Sequence, residues 1–146
     1  MRWLRSPRPL AVAVFSPVVF LGASCGPKLP PLFPVNGQVS FNGKPTPGAL
    51  VVFLPVDAKD AQAPRPSGSV RDDGTFSLST YPGKEGAPEG DYHVVITWTD
   101  ANAKIDSVTG EVPNKLPARY ANPKTSGLQA KVQGGAENKP VFKLTP

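Results

Sequence analysis

The stretch VNGQVSFNGKPTPGALVVF (Val35–Phe53) contains the pattern that decides the fold. In its first seven residues apolar Val35, Val39 and Phe41 alternate with polar residues, which is the two-residue period of a half-buried strand. The next seven are rich in Asn, Gly and Pro, the residues that form turns. The stretch from Ala49 onward is apolar at successive positions, which predicts a central strand with both faces covered.

The same strand and turn patterns recur along the rest of the chain. Asp72-Asp73-Gly74 predicts a hairpin turn, because Asp and Gly tolerate the positive φ that such turns need. Seven strands are expected, at residues 35–41, 49–55, 67–71, 75–80, 91–98, 128–132 and 141–144, and they predict an all-β fold: one seven-stranded antiparallel β-sandwich. Its predicted core consists of Val39, Phe41, Val51, Phe53, Phe76, Leu78, Tyr92, Val94, Ile96, Trp98, Leu128, Phe142 and Leu144.

Composition supports a single, strand-rich domain. The chain has 146 residues, of which 19 are Pro and 14 are Gly, and this density of proline disfavours helices. Three of the 16 basic residues are Arg2, Arg5 and Arg8, so the remaining 13 nearly balance the 11 acidic ones. Because no basic cluster interleaved with aromatic residues remains in the body of the chain, we expect no nucleic-acid partner.

The N-terminal segment has the organisation of an export signal. Basic residues precede the 14-residue apolar run Leu10–Ala23, which is too short for a membrane span of about 20 residues. The end of this run overlaps LGASC, which resembles the bacterial lipobox. That resemblance implies cleavage before Cys25 and attachment of lipid (diacylglycerol, with acyl chains such as palmitate) to its thiol. Gly22 departs from that pattern, which usually has Leu three residues before the cysteine. An ordinary signal peptide and an uncleaved tether are the alternatives.

These features divide the chain into three predicted parts. Residues 1–24 form a lipoprotein signal peptide, residues 25–34 a lipid-anchored, Pro-rich tether, and residues 35–146 the β-sandwich domain. Proline-rich segments are extended and semi-rigid, so the tether acts either as a spacer or as a leader without a spacing role. We therefore expect the domain to be exported and anchored to an inner or outer membrane of the cell envelope.

Three segments resemble the transthyretin-like, carboxypeptidase regulatory-like sandwich family. They are Val35–Phe53, RDDGTFSL (Arg71–Leu78) and EGDYHVVI (Glu89–Ile96), and they occur in the family's order. The combination with a lipobox, together with LPARYANPKTSGL (Leu116–Leu128), is similar to small lipoproteins of planctomycete-like bacteria. The resemblance implies a structural or binding sandwich, usually without catalysis.

Catalytic and metal-binding motifs are missing from the sequence. His93 is the sole histidine and Cys25 the sole cysteine, too few for a Cys/His metal site, and neither lies in a nucleophile motif. The hydroxyisourate-hydrolysing branch of the transthyretin-like family is implied to need several histidines and a C-terminal Tyr-Arg-Gly-Ser, whereas this chain ends VFKLTP. We predict no catalytic residues, no cofactor and no metal.

The long connection Thr99–Ser126 is the candidate partner-binding element, with Lys115, Arg119 and Tyr120 as its proposed contact residues. Arginine beside aromatic residues is common at interfaces. The alternative is a structural clasp in which Leu116 and Tyr120 cover one end of the sandwich, with a helical turn beginning near Pro117. The expected function is thus an anchored, non-catalytic module that binds a protein or glycan or acts structurally; the alternative is a hydrolase with an unrecognised site.

Overall fold

Strands make up nearly all of the regular structure. A computed structural model describes residues 26, 28–59, 62–100 and 102–146, so the predicted signal peptide and Cys25 lie outside the described residues. The all-β prediction is confirmed; short additional strands raise the number of named strands from the seven expected to ten. They are β1 (Asn36–Phe41), β2 (Lys44–Pro45), β3 (Leu50–Pro55), β4 (Ser67–Ser69), β5 (Thr75–Ser77), β6 (Ser79–Tyr81), β7 (Lys84–Glu85), β8 (Gly90–Thr97), β9 (Leu128–Val132) and β10 (Val141–Leu144), with a 3-10 helix at Ala118–Ala121.

The strands form two sheets that pack face to face. One sheet has the order β7-β6-β4-β3-β8-β9, and the other contains β10-β1-β2 with β5 also paired to β1. Aromatic side chains join the layers: the ring centroid of Phe53 on β3 lies 6.3 Å from that of Phe142 on β10. Phe76 on β5 stacks on the same Phe142 ring at 6.2 Å. The architecture is therefore that of a two-sheet β-sandwich.

The first and last strands pair in parallel, which the sequence did not predict. β1 and β10 run in the same direction, with Gln38 opposite Val141 and Phe41 opposite Leu144, whereas the other strand pairs are antiparallel. The expectation of a wholly antiparallel sandwich was therefore wrong for this pair. Alternation along a strand reports which face is buried but not the direction of its neighbour.

The segment TFSLST, expected to be one strand, changes sheet at Leu78. β5 pairs with β1, while β6 pairs with β4 and β7 in the other sheet. Leu78 lies buried between them; its N–H donates to the Val35 carbonyl (3.1 Å) and its carbonyl accepts from Gly86 N (2.7 Å). The turn predicted at Asp72-Asp73-Gly74 is present, since Arg71 N donates to Thr75 O at 2.7 Å. This turn connects the two sheets.

The predicted core is confirmed. Every residue named for it lies in the hydrophobic cluster, with Phe41, Trp98 and Leu128 partly buried at the margin. The alternation along β8 is as expected: Tyr92, Val94 and Ile96 are buried, and the residues between them are half-buried. The cluster also contains Val35, Ala49, Val70, Ala87, Leu116, Tyr120 and Val132.

The two ends of the sandwich carry different segments of the chain. At the tether end, where β8 begins, Phe33 and Ala87 exchange two backbone hydrogen bonds of 2.9 Å, which fasten the last part of the predicted tether to the body. At the loop end, where β8 finishes, the chain enters the connection to β9. Because β8 has eight residues, the two ends are about 25 Å apart.

Candidate functional site

The connection Thr99–Ser126 lies at the loop end and closes at its base. Thr99 forms a β-bridge with Asn114, and Lys115 N donates to the Trp98 carbonyl at 2.7 Å. The Asn114 carboxamide oxygen accepts from Trp98 N (2.9 Å) and Leu116 N (3.1 Å), so one side chain organises both arms of the base. The residues beyond this closure divide into a clasp, residues 114–121, and a tip, residues 105–112.

The clasp covers the core, as the structural alternative predicted. Leu116 and Tyr120 are both about 95% buried and belong to the hydrophobic cluster. The 3-10 helix that carries Tyr120 starts immediately after Pro117, close to the predicted position. Pro is well suited to the start of a helical turn because its φ is fixed and its missing N–H would have no intrahelical acceptor.

Arg119 is exposed but engaged within the chain. Its Nη2 donates to the carbonyl oxygens of Thr145 (2.7 Å) and Pro146 (2.8 Å), and its guanidinium carbon lies 4.7 Å from the centroid of the Tyr120 ring. The Tyr120 hydroxyl accepts from Thr145 N at 2.9 Å. Burial opposes ionisation of Tyr120, but these hydrogen bonds and the nearby guanidinium outweigh it, so the net effect is a lowered pKa. Arg119 and Tyr120 thus fasten the clasp to the residues after β10.

Lys115 contacts a different part of the loop end. Its Nζ lies 5.0 Å from the centroid of the Trp98 ring and 3.4 Å from Asp100 Oδ2. The pKa of Asp100 is lowered, first by the hydrogen bond from Asn102 N and then by Lys115. Within the described parts of the chain, no hydrogen bond, ion pair or ring contact joins Lys115 to Arg119 or Tyr120. The three nominated residues therefore share one end of the sandwich without forming one cluster.

The tip carries apolar side chains that the sequence reasoning missed. Ile105 is 64% exposed, Val108 is 92% exposed, and Val112 is also exposed. The turn beneath them is ordered by Asp106, whose Oδ1 accepts from Val108 N (2.7 Å) and Thr109 N (3.0 Å). These bonds lower the pKa of Asp106 and keep its carboxylate turned toward the backbone. A signal was present in the sequence: β-branched residues flanking the turn residues Asp106 and Gly110.

The exposed aliphatic side chains of the tip need an explanation. A single exposed apolar residue is ordinary, whereas a large contiguous group of them marks an interaction surface. The charged groups nearest in sequence are Lys104, Asp106 and Glu111, and the Asp106 carboxylate is already occupied by backbone N–H groups. The tip therefore combines exposed aliphatic side chains with charged neighbours in sequence, two kinds of residue that also occur at the centre and the edge of protein interfaces.

A concave feature lies at the tether end of the sandwich. It is a cleft of about 360 Å³, and its lining includes four prolines and one aromatic residue, Tyr92. The Tyr92 hydroxyl donates to the Pro88 carbonyl at 2.7 Å, and burial raises the pKa of the phenol to about 12. The described residues that line the cleft include no histidine, cysteine or serine. The lining therefore holds no nucleophile–base pair built from these residue types. The lining consists of Pro30, Pro55, Asp57, Ala58, Lys59, Ala63, Pro64, Pro88, Glu89, Gly90, Asp91 and Tyr92.

The remaining titratable residues are dispersed. His93 is half-buried on β8 and points to the side of the sheet opposite the core. Three or more His, Cys, Asp or Glu side chains do not gather anywhere in the described ranges in a way that could hold a metal ion. Nor does any helix in those ranges combine the length and apolar character needed to cross a bilayer.

Comparison with known proteins adds no assignment: no protein-family model, curated protein or solved structure gives a significant match to the chain.

Proposed function

We propose that this chain is an exported, lipid-anchored and non-catalytic module of the cell envelope that uses its loop end to hold a protein or glycan partner. The observation that carries the proposal is that Phe33, near the end of the predicted tether, and the long loop lie at opposite ends of the sandwich. A domain fastened to a membrane at one end presents the other end to whatever lies beyond. The export signal and lipobox pattern that end at Cys25 support the anchor.

The dimensions suit this arrangement. Phe33 is bonded to the body, so in this proposal the distance to the membrane is limited by the length of the sequence from Cys25 to Leu32. At about 3.1 Å per residue in an extended Pro-rich segment, these eight residues reach roughly 25 Å. With another 25 Å or so along β8, the tip stands about 50 Å from the lipid. That distance favours a partner in the space beyond the membrane surface.

The tip is the part of the loop that is free to bind. Arg119 and Tyr120 hold the clasp against the body, and Lys115 lies on Trp98. By contrast, Ile105 and Val108 project into solvent. We therefore place the centre of the contact on these aliphatic residues, with Lys115 and Arg119 at its edge.

The finer description of the fold is also a proposal. When the short strands β2, β6 and β7 of the two sheets are set aside, seven strands remain, and each overlaps one of the seven segments that the sequence suggested. We propose that these seven form a transthyretin-like, Greek-key core of the carboxypeptidase regulatory-like type. The segments that carry the resemblance contain β1, most of β3, β5 and most of β8, and these strands supply much of the core.

The anchor and the binding surface can be tested separately. Intact-mass analysis of the protein from native membranes should find a chain that begins at a lipid-modified Cys25; an unmodified cysteine would contradict the anchor. For the surface, cross-linking in membranes should capture a partner with the unaltered chain and lose most of it with Val108→Ser. Val141→Ser is the matched control, because Val141 is also exposed but lies on β10. Equal capture by the two variants would contradict binding at the tip.

A further inference from the structure

The chain contains two Asn-Gly pairs, Asn36-Gly37 and Asn42-Gly43. In such a pair the side-chain amide carbon of asparagine is open to attack by the backbone nitrogen of the next residue, because glycine has no Cβ to obstruct the approach. The reaction also needs a backbone that can bend toward the side chain. The two pairs share the same local chemistry, so their surroundings decide which of them reacts.

Asn42 lies in an exposed turn that is weakly held. It has φ +50° and Gly43 has φ +74°, and these two residues connect Phe41 to Lys44 in the β1–β2 hairpin. A Cβ on Gly43 would meet no atom within 4 Å. The strand that follows has only two residues, and its second, Pro45, has no N–H to donate to the ladder. Opening this turn therefore breaks few contacts.

The side chain of Asn42 is also unrestrained. Its backbone N–H donates to the Leu144 carbonyl at 3.1 Å, but none of the side-chain hydrogen bonds among the described residues includes its carboxamide. The amide can therefore rotate toward the Gly43 nitrogen once the turn opens.

Asn36 has the opposite surroundings. Its carboxamide oxygen accepts from the Ser77 hydroxyl at 2.7 Å, and its backbone N–H donates to Asn138 O at 2.9 Å. It lies on β1 where that strand is paired with β5. A Cβ on Gly37 would collide with the Phe76 ring and the Pro140 carbonyl, so the backbone there has no room to bend.

An aspartate before glycine provides a third comparison. Asp73 precedes Gly74, and an aspartate can form the same cyclic imide. Its Oδ1 accepts from Thr75 N (3.0 Å) and Thr75 Oγ1 (2.6 Å), which holds the side chain away from the next peptide nitrogen. Those bonds also lower the pKa of the carboxyl group, and an ionised carboxylate is a poor electrophile. Asp73 is thus protected in the same manner as Asn36.

We propose that Asn42 is a site of spontaneous deamidation and isomerisation in the folded protein. The Gly43 nitrogen, having lost its proton to solvent base, attacks Cγ of Asn42; the new C–N bond forms, the bond from Cγ to Nδ2 breaks, and ammonia leaves. Water then adds to either carbonyl of the resulting five-membered succinimide. One product is a normal aspartyl peptide and the other a β-linked isoaspartyl peptide. Water is the only co-reactant, and no oxidant or reductant is needed.

The modification alters the β1–β2 turn in two ways. It adds one negative charge, and the isoaspartyl product adds a backbone carbon to a two-residue turn. Because Asn42 N is bonded to Leu144 O, the altered turn acts directly on the end of the β1–β10 pair. The modified fraction of a population of molecules would then increase with the age of that population.

The experiment compares the two pairs in the same molecule. The full chain is incubated at mildly alkaline pH, folded or in urea, and the products are located by fragmentation mass spectrometry and by enzymatic methylation of isoaspartate. In the folded protein Asn42 should react about tenfold or more faster than Asn36, because attack at Asn36 requires opening of the core-packed β1. In urea the two rates should become comparable.

Two variants show which asparagine gives rise to the isoaspartate. Asn42→Gln should remove most isoaspartate from the folded protein, and Asn36→Gln should leave it unchanged. Equal rates at the two sites in the folded chain, or a faster reaction at Asn36, would overturn the proposal. The comparison within the unaltered chain keeps this test valid even if a variant folds poorly.

Discussion

At the scale of single residues, Arg119 shows that an exposed side chain can already be engaged by contacts within the chain. The sequence suggested a binding role for it because arginine beside an aromatic residue is common at interfaces. In the structure its guanidinium is shared among the Thr145 and Pro146 carbonyls and the face of Tyr120. Removal of Arg119 would thus disturb the clasp as well as any contact surface. For that reason an exposed tip residue is a cleaner probe of binding.

Tyr92 provides a residue-scale prediction about pH. Burial raises its pKa from 10.0 to about 12, so the folded state favours the neutral phenol. This contribution to stability is fully present below pH 10.0 and is lost as the pH rises through about 12. We expect the free energy of unfolding, measured by urea denaturation, to fall across that range.

The variant Tyr92→Phe identifies the source of that fall. It lacks the ionisable group, so its stability should depend less steeply on pH in the same window. An ultraviolet titration of the folded protein should also show Tyr120 ionising before Tyr92, since the two pKa shifts have opposite directions. An unchanged slope in Tyr92→Phe would contradict the assignment.

At the scale of elements, the long loop combines a structural part and an exposed part. The clasp buries Leu116 and Tyr120, whereas the tip exposes Ile105 and Val108. We expect Tyr120→Ala to lower the free energy of unfolding by about 2–5 kcal/mol, because it removes a large side chain from the core. Ile105→Ser should change it by no more than about 0.5 kcal/mol. Chemical denaturation of both variants checks this, and similar costs would contradict the division of the loop.

The elements also show what the sequence could and could not predict. Each of the seven expected segments contains a strand, because alternation and turn residues are local signals that burial of one face enforces, although the segment 75–80 is divided between β5 and β6. The switch at Leu78 was missed, since an apolar residue looks the same whether its strand continues or crosses to the other sheet. The exposure of Val108 was missed as well, because a β-branched residue in a loop does not reveal whether the body covers it. The parallel β1–β10 pair depends on contacts about 100 residues apart, which no local pattern contains.

At the scale of the whole molecule, stability depends on contact between the two sheets. Phe53 contacts Tyr92 in its own sheet and Phe142 in the other, and it is fully buried. We expect Phe53→Ala to lower the free energy of unfolding by about 2–5 kcal/mol. Leu50→Ala, on the same strand but 42% exposed, should cost about 1 kcal/mol. Thermal and urea denaturation measure both; equal losses would contradict a core formed between the sheets.

The parallel pairing of β1 and β10 has a mechanical consequence. In the arrangement proposed above, a pull applied through the tether would enter at the start of β1, and a partner held at the loop end would resist it from the far end of the sandwich. The load then runs along the strands, so the hydrogen bonds between β1 and β10 are strained together in shear rather than peeled apart singly. Resistance to force is governed by the rate of unfolding. Such a joint withstands tension in the direction in which an anchored domain would experience it.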